Sequence, residues 1–104
     1  MIRKKPYDGV VVAARYTQQG ELDWVRAFVR QGFVFSDRLL LDRETLVEHL
    51  QEGKRFKTGE RMIYHGNDFK IIEDIHLIES DSGNLIIAGT GSSNQDSLGN
   101  IPIL

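Results

Sequence analysis

Cysteine is absent from the 104 residues, which excludes disulfides, thiolate nucleophiles and cysteine-ligated zinc. A cytoplasmic setting is the natural expectation from that absence. Long apolar runs are absent as well. None approaches the roughly 18–20 residues that a helix needs to cross a bilayer, so no membrane partner is expected. The opening MIRKKPYDGVVVAARY has the basic start of a secretory leader, but its apolar stretch runs only from Val10 to Ala14 before Arg15 ends it. A leader's apolar region needs about 7–15 residues.

Basic residues are missing from the last third. All thirteen Lys and Arg lie at or before Lys70, against ten acids there, which leaves residues 1–70 at +3. Residues 71–104 carry Glu73, Asp74, Glu79, Asp81 and Asp96 with no cation, hence −5. Such asymmetry marks either an acidic tail or strands of opposite sign that pair within one domain; pairing is the expectation here.

Catalytic patterns are missing too. No nucleophile stands at an interpretable spacing from His49, His65 or His76. Asp74 and His76, two apart on a strand, share a face, yet a catalytic zinc takes three protein ligands. Gly89-Thr90-Gly91-Ser92-Ser93 follows a strand but lacks the third glycine and the helix of a nucleotide loop. No catalytic residue, cofactor site or metal site is expected.

What is present is a folded domain: 40% hydrophobic and 27% charged residues belong to a globular chain, not a disordered one. Residues 10–17, VVVAARYT, are β-branched and aromatic enough for a strand. ELDWVRAFVRQ, 21–31, fits a helical wheel or a strand, and pairing decides for the strand. A three-residue loop with Gly20 in the left-handed position sets Tyr16 opposite Leu22, Arg15 opposite Asp23, Ala14 opposite Trp24 and Val12 opposite Arg26. One face then collects Val10, Val12, Ala14, Tyr16, Leu22, Trp24 and Phe28.

FVFSDRLLL, 33–41, reads as a third strand. Asp42 is a good N-cap, and Glu44 suits the first turn of a helix whose apolar stripe is Leu46, Val47 and Leu50. Gly53 is its natural terminator. Residues 54–64 and 69–79 flank HGND as a hairpin, with Met62 opposite Ile71, Phe56 opposite Leu77 and Lys54 opposite Glu79. A short strand, 85–88, follows. Residues 1–89 are expected to form one domain, and 90–104, rich in Gly, Ser and Asn, a flexible tail.

The expected fold class is therefore mainly β (α+β), a small antiparallel barrel or half-open sheet of about five or six strands with one helix. Its order is β-β-β-α-β-β with an extra strand. Over residues 10–79 this order resembles that of an OB-type Greek-key barrel, and other small barrels share it. No family motif accompanies the order, so it implies no site.

Two stretches carry the candidate binding surface. GKRFKTGER, 53–61, packs four cations, one aromatic and two glycines into nine positions. Within it Arg55, Lys57 and Arg61 share a face with Asp74 and His76 in this hairpin, and Gly59 is a candidate bulge that would flip the face beyond it, since without one Glu60 falls opposite Glu73. Trp24, Arg26, Phe28 and Arg30 alternate aromatic with basic, as single-strand binders do; the hairpin register favours the other reading, with the rings in the core and the Arg heads in water. The candidate surface is Arg26, Arg30, Arg55, Lys57 and Arg61. The expectation is a non-enzymatic binding or accessory module. It would act by protein interaction or self-association, with the terminal IPIL added to a neighbour's strand edge. The alternative is a small β-barrel that binds single-stranded nucleic acid weakly and in a salt-dependent way.

Overall fold

The turn at residues 17–21 closes as its sequence demands. In the computed structural model, which describes residues 7–31, 34–36, 38–62, 69–80, 83–89 and 95–104, Gly20 has φ +86°. The Thr17 N–H donates to Glu21 O at 2.7 Å, and the Gly20 N–H to Thr17 O at 3.0 Å. This joins β1 (Gly9–Tyr16) to β2 (Leu22–Gln31), with Tyr16 opposite Leu22.

Beyond that pair the register departs from the expectation. Arg15 lies opposite Trp24, Ala14 opposite Val25, Ala13 opposite Arg26 and Val10 opposite Phe28. Val12 and Asp23 have no opposite residue in the register, at two bulges, although Arg15 Nε stays 3.9 Å from Asp23 Oδ2. A one-residue slip turns side chains to the other face, so the single apolar face expected for this hairpin is divided. Ala14, Tyr16 and Leu22 join one core, while Val10, Val12 and Phe28 join another.

The third strand is split into β3 (Val34–Phe35) and β4 (Leu39–Asp42), both paired with β2. Helix α1 (Arg43–Gln51) starts where the Asp42 side chain accepts the Thr45 N–H at 2.8 Å. It ends in a Schellman motif: the Gly53 N–H donates to Leu50 O and the Lys54 N–H to His49 O, with Gly53 at φ +85°. Leu46 is fully buried beneath the helix, and Val47 and Leu50 pack beside it.

α1 is a crossover. β5 (Phe56–Arg61) returns parallel to β1, pairing Gly9 with Phe56 and Val11 with Thr58. Parallel neighbours need such a connection, most often a helix. β6 (Phe69–Ser80) and β7 (Gly83–Ala88) then add as antiparallel strands. The order is β3-β2-β1-β5-β6-β7, with β4 also on β2. The broad class, mainly β with one helix, holds. The sheet is mixed and open, so neither the all-antiparallel arrangement nor a closed OB-like barrel is found.

In the β5–β6 hairpin, Lys57 faces Asp74 and Arg61 faces Phe69, against the expected pairing of Met62 with Ile71 and of Lys54 with Glu79. A register shift does occur at Thr58/Gly59, and it leaves Ile72 unpaired. The HGND turn falls within 63–68, outside the described residues.

Residues 95–104 also depart from expectation. They pack on the domain, with Leu98 and Ile101 buried; 90–94 lie outside the described residues. The Ala88 N–H donates to Ser97 O, and the Ser97 N–H to Ile86 O. Further on, the Ala14 N–H donates to Pro102 O and the Leu104 N–H to Ala14 O. A tail-like composition here conceals apolar anchors and one buried charge.

That charge is Asp96, 6% exposed. Its carboxylate accepts the Leu22 N–H at 2.8 Å and the Ile86 N–H at 2.9 Å. Arg43 adds a forked contact, Nε to Oδ2 at 2.8 Å and Nη2 to Oδ1 at 3.3 Å, and its Nη2 also reaches the Asn84 carbonyl. Burial pushes the Asp96 carboxyl up, but Arg43 and the two backbone donors outweigh it and hold the group below its ordinary value.

Two outcomes follow for stability. Asp96→Asn breaks a buried pair and is expected to cost about 3 kcal/mol by urea unfolding at neutral pH. Because the folded value is depressed, the carboxylate's contribution is complete above about pH 4 and is lost as pH falls through the folded value. Wild-type stability therefore drops on acidification by a component that the variant lacks. Gly9 gives the second outcome. A Cβ there would collide with the Phe56 ring, so Gly9→Ala overpacks the site and is expected to lower stability by about 1–3 kcal/mol in the same assay.

Candidate functional site

The two bulges on the first hairpin decide which side chains share the second face of the sheet. Alternation along β2 puts Trp24, Arg26, Phe28 and Arg30 on one side, while Val25, Ala27 and Val29 point to the core under α1. Register extends the face sideways: Val10 opposite Phe28, Leu40 opposite Arg26, Lys57 beside Val10, and Arg61 opposite Phe69.

This face has a core of its own. Tyr7, Val10, Phe28 and Phe69 are buried together, with Val12 and Ile71 packed against them. The Phe28 and Phe69 rings lie 5.1 Å apart at 54°, a tilted geometry that aromatic pairs favour. The end of β5 crosses the same cluster, where the Arg61 guanidinium sits 5.6 Å from the Phe28 centroid. The outcome is a cleft of about 490 Å³ lined by Val12, Phe28, Arg38 and Arg61.

The five candidate residues fare differently. Arg30 is ion-paired with Asp8, both side chains mostly buried. Lys57 Nζ is 3.0 Å from Asp74 Oδ1 and 5.9 Å from the Tyr7 centroid. Arg55 is exposed, and its N–H donates to Asp8 Oδ2 at 2.8 Å. With Lys54, Lys57, Asp74 and His76 it borders a separate cavity of about 290 Å³, floored by Phe56 and Ile75. Arg26 and Arg61 lie on the second face with no carboxylate partner among the described residues. The structure thus brings Arg26, Arg30, Lys57 and Arg61 to one face, sets Arg55 at its margin, and neutralises two of the five.

Arg38 was missed by sequence reasoning. It carries no pattern of its own there, being one cation before three leucines; only the pairing of β4 with β2 brings it to the cleft. Trp24 is the larger correction. It is half-buried on the second face and does not join Leu22 in the core, because the bulge at Asp23 turns it over. Phe28 is buried as expected, but beneath Arg61 and Phe69.

His49 is structural, stacked on Phe56 with centroids 5.5 Å apart and 3.1 Å from Lys54 Nζ. His65 and the Thr90–Ser93 stretch lie outside the described residues. Among the described residues, no group of three or more His, Asp or Glu is placed to hold a metal ion, and no helix is long and apolar enough to cross a membrane. Comparison with protein-family models, curated proteins and solved structures finds no match for this chain.

Trp24 is the only tryptophan, which makes its placement measurable. Acrylamide is expected to quench its fluorescence in the native state, to an extent between that of a buried indole and that of the urea-unfolded chain. Quenching near zero would place the ring in the core and restore the unbulged register.

Proposed function

We propose that the chain is a non-enzymatic binding module that holds single-stranded nucleic acid across its second sheet face. The observation that carries this reading is the cleft floored by Val12 and Phe28 and flanked by Arg61 and Arg38, with Arg26 and Trp24 beside it on β2. Single strands are held by cations that track the phosphates and by rings on which bases stack. Arg26 and Arg61 supply the first, and Arg38 adds a third cation at the rim. The half-exposed Trp24 ring supplies the second. Arg30 and Lys57, already paired with Asp8 and Asp74, serve to order the face.

Strand addition through Ile101–Leu104 has less support, since the Pro102 carbonyl and Leu104 N–H are already bonded to Ala14.

Titration of a labelled oligo-dT at two salt concentrations tests the reading. Binding is expected at low salt, weakening with a log–log slope near −2 for about three phosphate contacts at ~0.7 each. Arg26→Ala with Arg61→Ala is expected to flatten that slope by about 1.4. Trp24→Ala is expected to weaken binding by about 1–3 kcal/mol while leaving the slope unchanged. A wild-type chain that fails to bind at low salt would overturn the proposal.

A further inference from the structure

Strand β4 presents an edge with an unusual sequence. Among the described residues it pairs with β2 alone, so its outer N–H and C=O groups face outward. Edge strands are commonly protected by a charge or proline near their centre. Here the centre is Leu39-Leu40-Leu41, and Leu40 is 64% and Leu39 39% exposed. Charges stand only at the ends, Arg38 before the leucines and Asp42 after them.

We infer that β4 is the interface of a homodimer, paired antiparallel with β4 of a second copy about a two-fold axis at Leu40. The argument for a second copy is self-complementarity. Antiparallel pairing centred on Leu40 sets each Arg38 opposite the other chain's Asp42, and each Leu39 opposite the other chain's Leu41. Leu40 meets its own equivalent. A parallel arrangement would set like charges together, and a shift of one residue would separate the ion pairs. Opposite charges directly across a sheet are favourable and like charges unfavourable. A two-fold axis presents the same patch on both subunits, and a strand of the form cation-Leu-Leu-Leu-anion satisfies that requirement by itself.

The side chains leave room for this pairing. Alternation puts Arg38, Leu40 and Asp42 on the second face and Leu39 and Leu41 on the side of α1, where Leu41 already packs against the main core. Asp42 is exposed, and its Oδ1 is engaged by the Thr45 N–H. Thr45 engages the carboxylate through its side chain as well, and the exposed carboxylate keeps lone pairs for an arginine. Arg38 is exposed as well and has no carboxylate partner among the described residues. Pairing joins the two sheets into one with both second faces on the same side. This goes beyond the binding reading and stands without it: the ion pairs take Arg38 from the cleft rim, so in the dimer Arg26 and Arg61 remain as the two phosphate contacts of each face and the salt slope falls to about −1.4.

Sedimentation equilibrium of the full chain tests the inference. The wild type is expected at twice the chain mass. Leu40→Lys changes an exposed side chain, so it is expected to keep the native circular dichroism and melting transition while sedimenting as a monomer. R38D leaves only acids at the ends of the strand and D42R leaves only cations, and each alone is expected to be monomeric. An equimolar mixture of the two restores both opposite-charge pairs and is expected to recover the dimer mass. A monomeric wild type would overturn the inference. So would dimers of Leu40→Lys and R38D, which would locate the contact elsewhere.

Discussion

The carboxylate of Asp96 is the constraint on which the rest of the fold depends. Its two oxygens meet the first residue of β2, the middle of β7 and the first residue of α1 at once. These elements are remote in sequence, and within the sheet β2 and β7 are separated by three strands. Burying a lone carboxylate is costly, and only full pairing offsets the cost. Asp96 has that pairing, with two backbone donors and a forked arginine. The contact also explains why residues 95–104 lie down on the sheet. Leu98 and Ile101 fill the core beyond it, and the Tyr16 hydroxyl accepts the Leu98 N–H at 2.9 Å.

Nothing local in the sequence announces this. Ser-Asn-Gln-Asp-Ser has the composition of a loop, and an aspartate in a loop is ordinarily solvated. Its role exists only because Arg43, more than fifty positions earlier, opens a helix that the crossover carries to the same place. The features that were legible are those decided within a few residues. The Gly20 turn, the Asp42 cap and the Gly53 terminator each rest on short-range hydrogen bonds and on backbone conformation. Strand pairing across the first turn was legible to Tyr16 and Leu22. It then failed, because a bulge changes the register without leaving a pattern in the alternation of polar and apolar residues.

The bulges matter for more than register. Had the hairpin run without them, Trp24, Phe28 and Val12 would have shared a face with Ala14 and Leu22, leaving one thick core beneath α1. Unpairing Asp23 and Val12 divides that apolar supply between two faces. The end of β5 covers part of the second share with Arg61. An arginine suits that position, since its planar cation lies favourably over a ring while its charge stays toward water. The site on the second face is therefore a product of register. The alternation of aromatic and basic residues from Trp24 to Arg30 was visible in the sequence; the face it occupies was not.

The uneven distribution of charge along the chain raises the question of whether the acidic last third masks the basic face. Sequence separation and spatial separation turn out to be different things. Asp96 is spent on Arg43 in the main core. The Glu73 carboxylate lies on the same side, so near Gly89 and Gly99 that a Cβ at either would collide with it. Of the acids described in that third, Asp74 alone pairs with a cation of the second face, by way of Lys57. The fold thus draws Asp96 and Glu73 to the face under α1, where burial and glycine backbone receive them, and leaves Arg26 and Arg61 with no carboxylate partner among the described residues. A net charge of −2 for the chain is in that sense no guide to the potential over the cleft, which is set by where the crossover and the bulges have placed each charge.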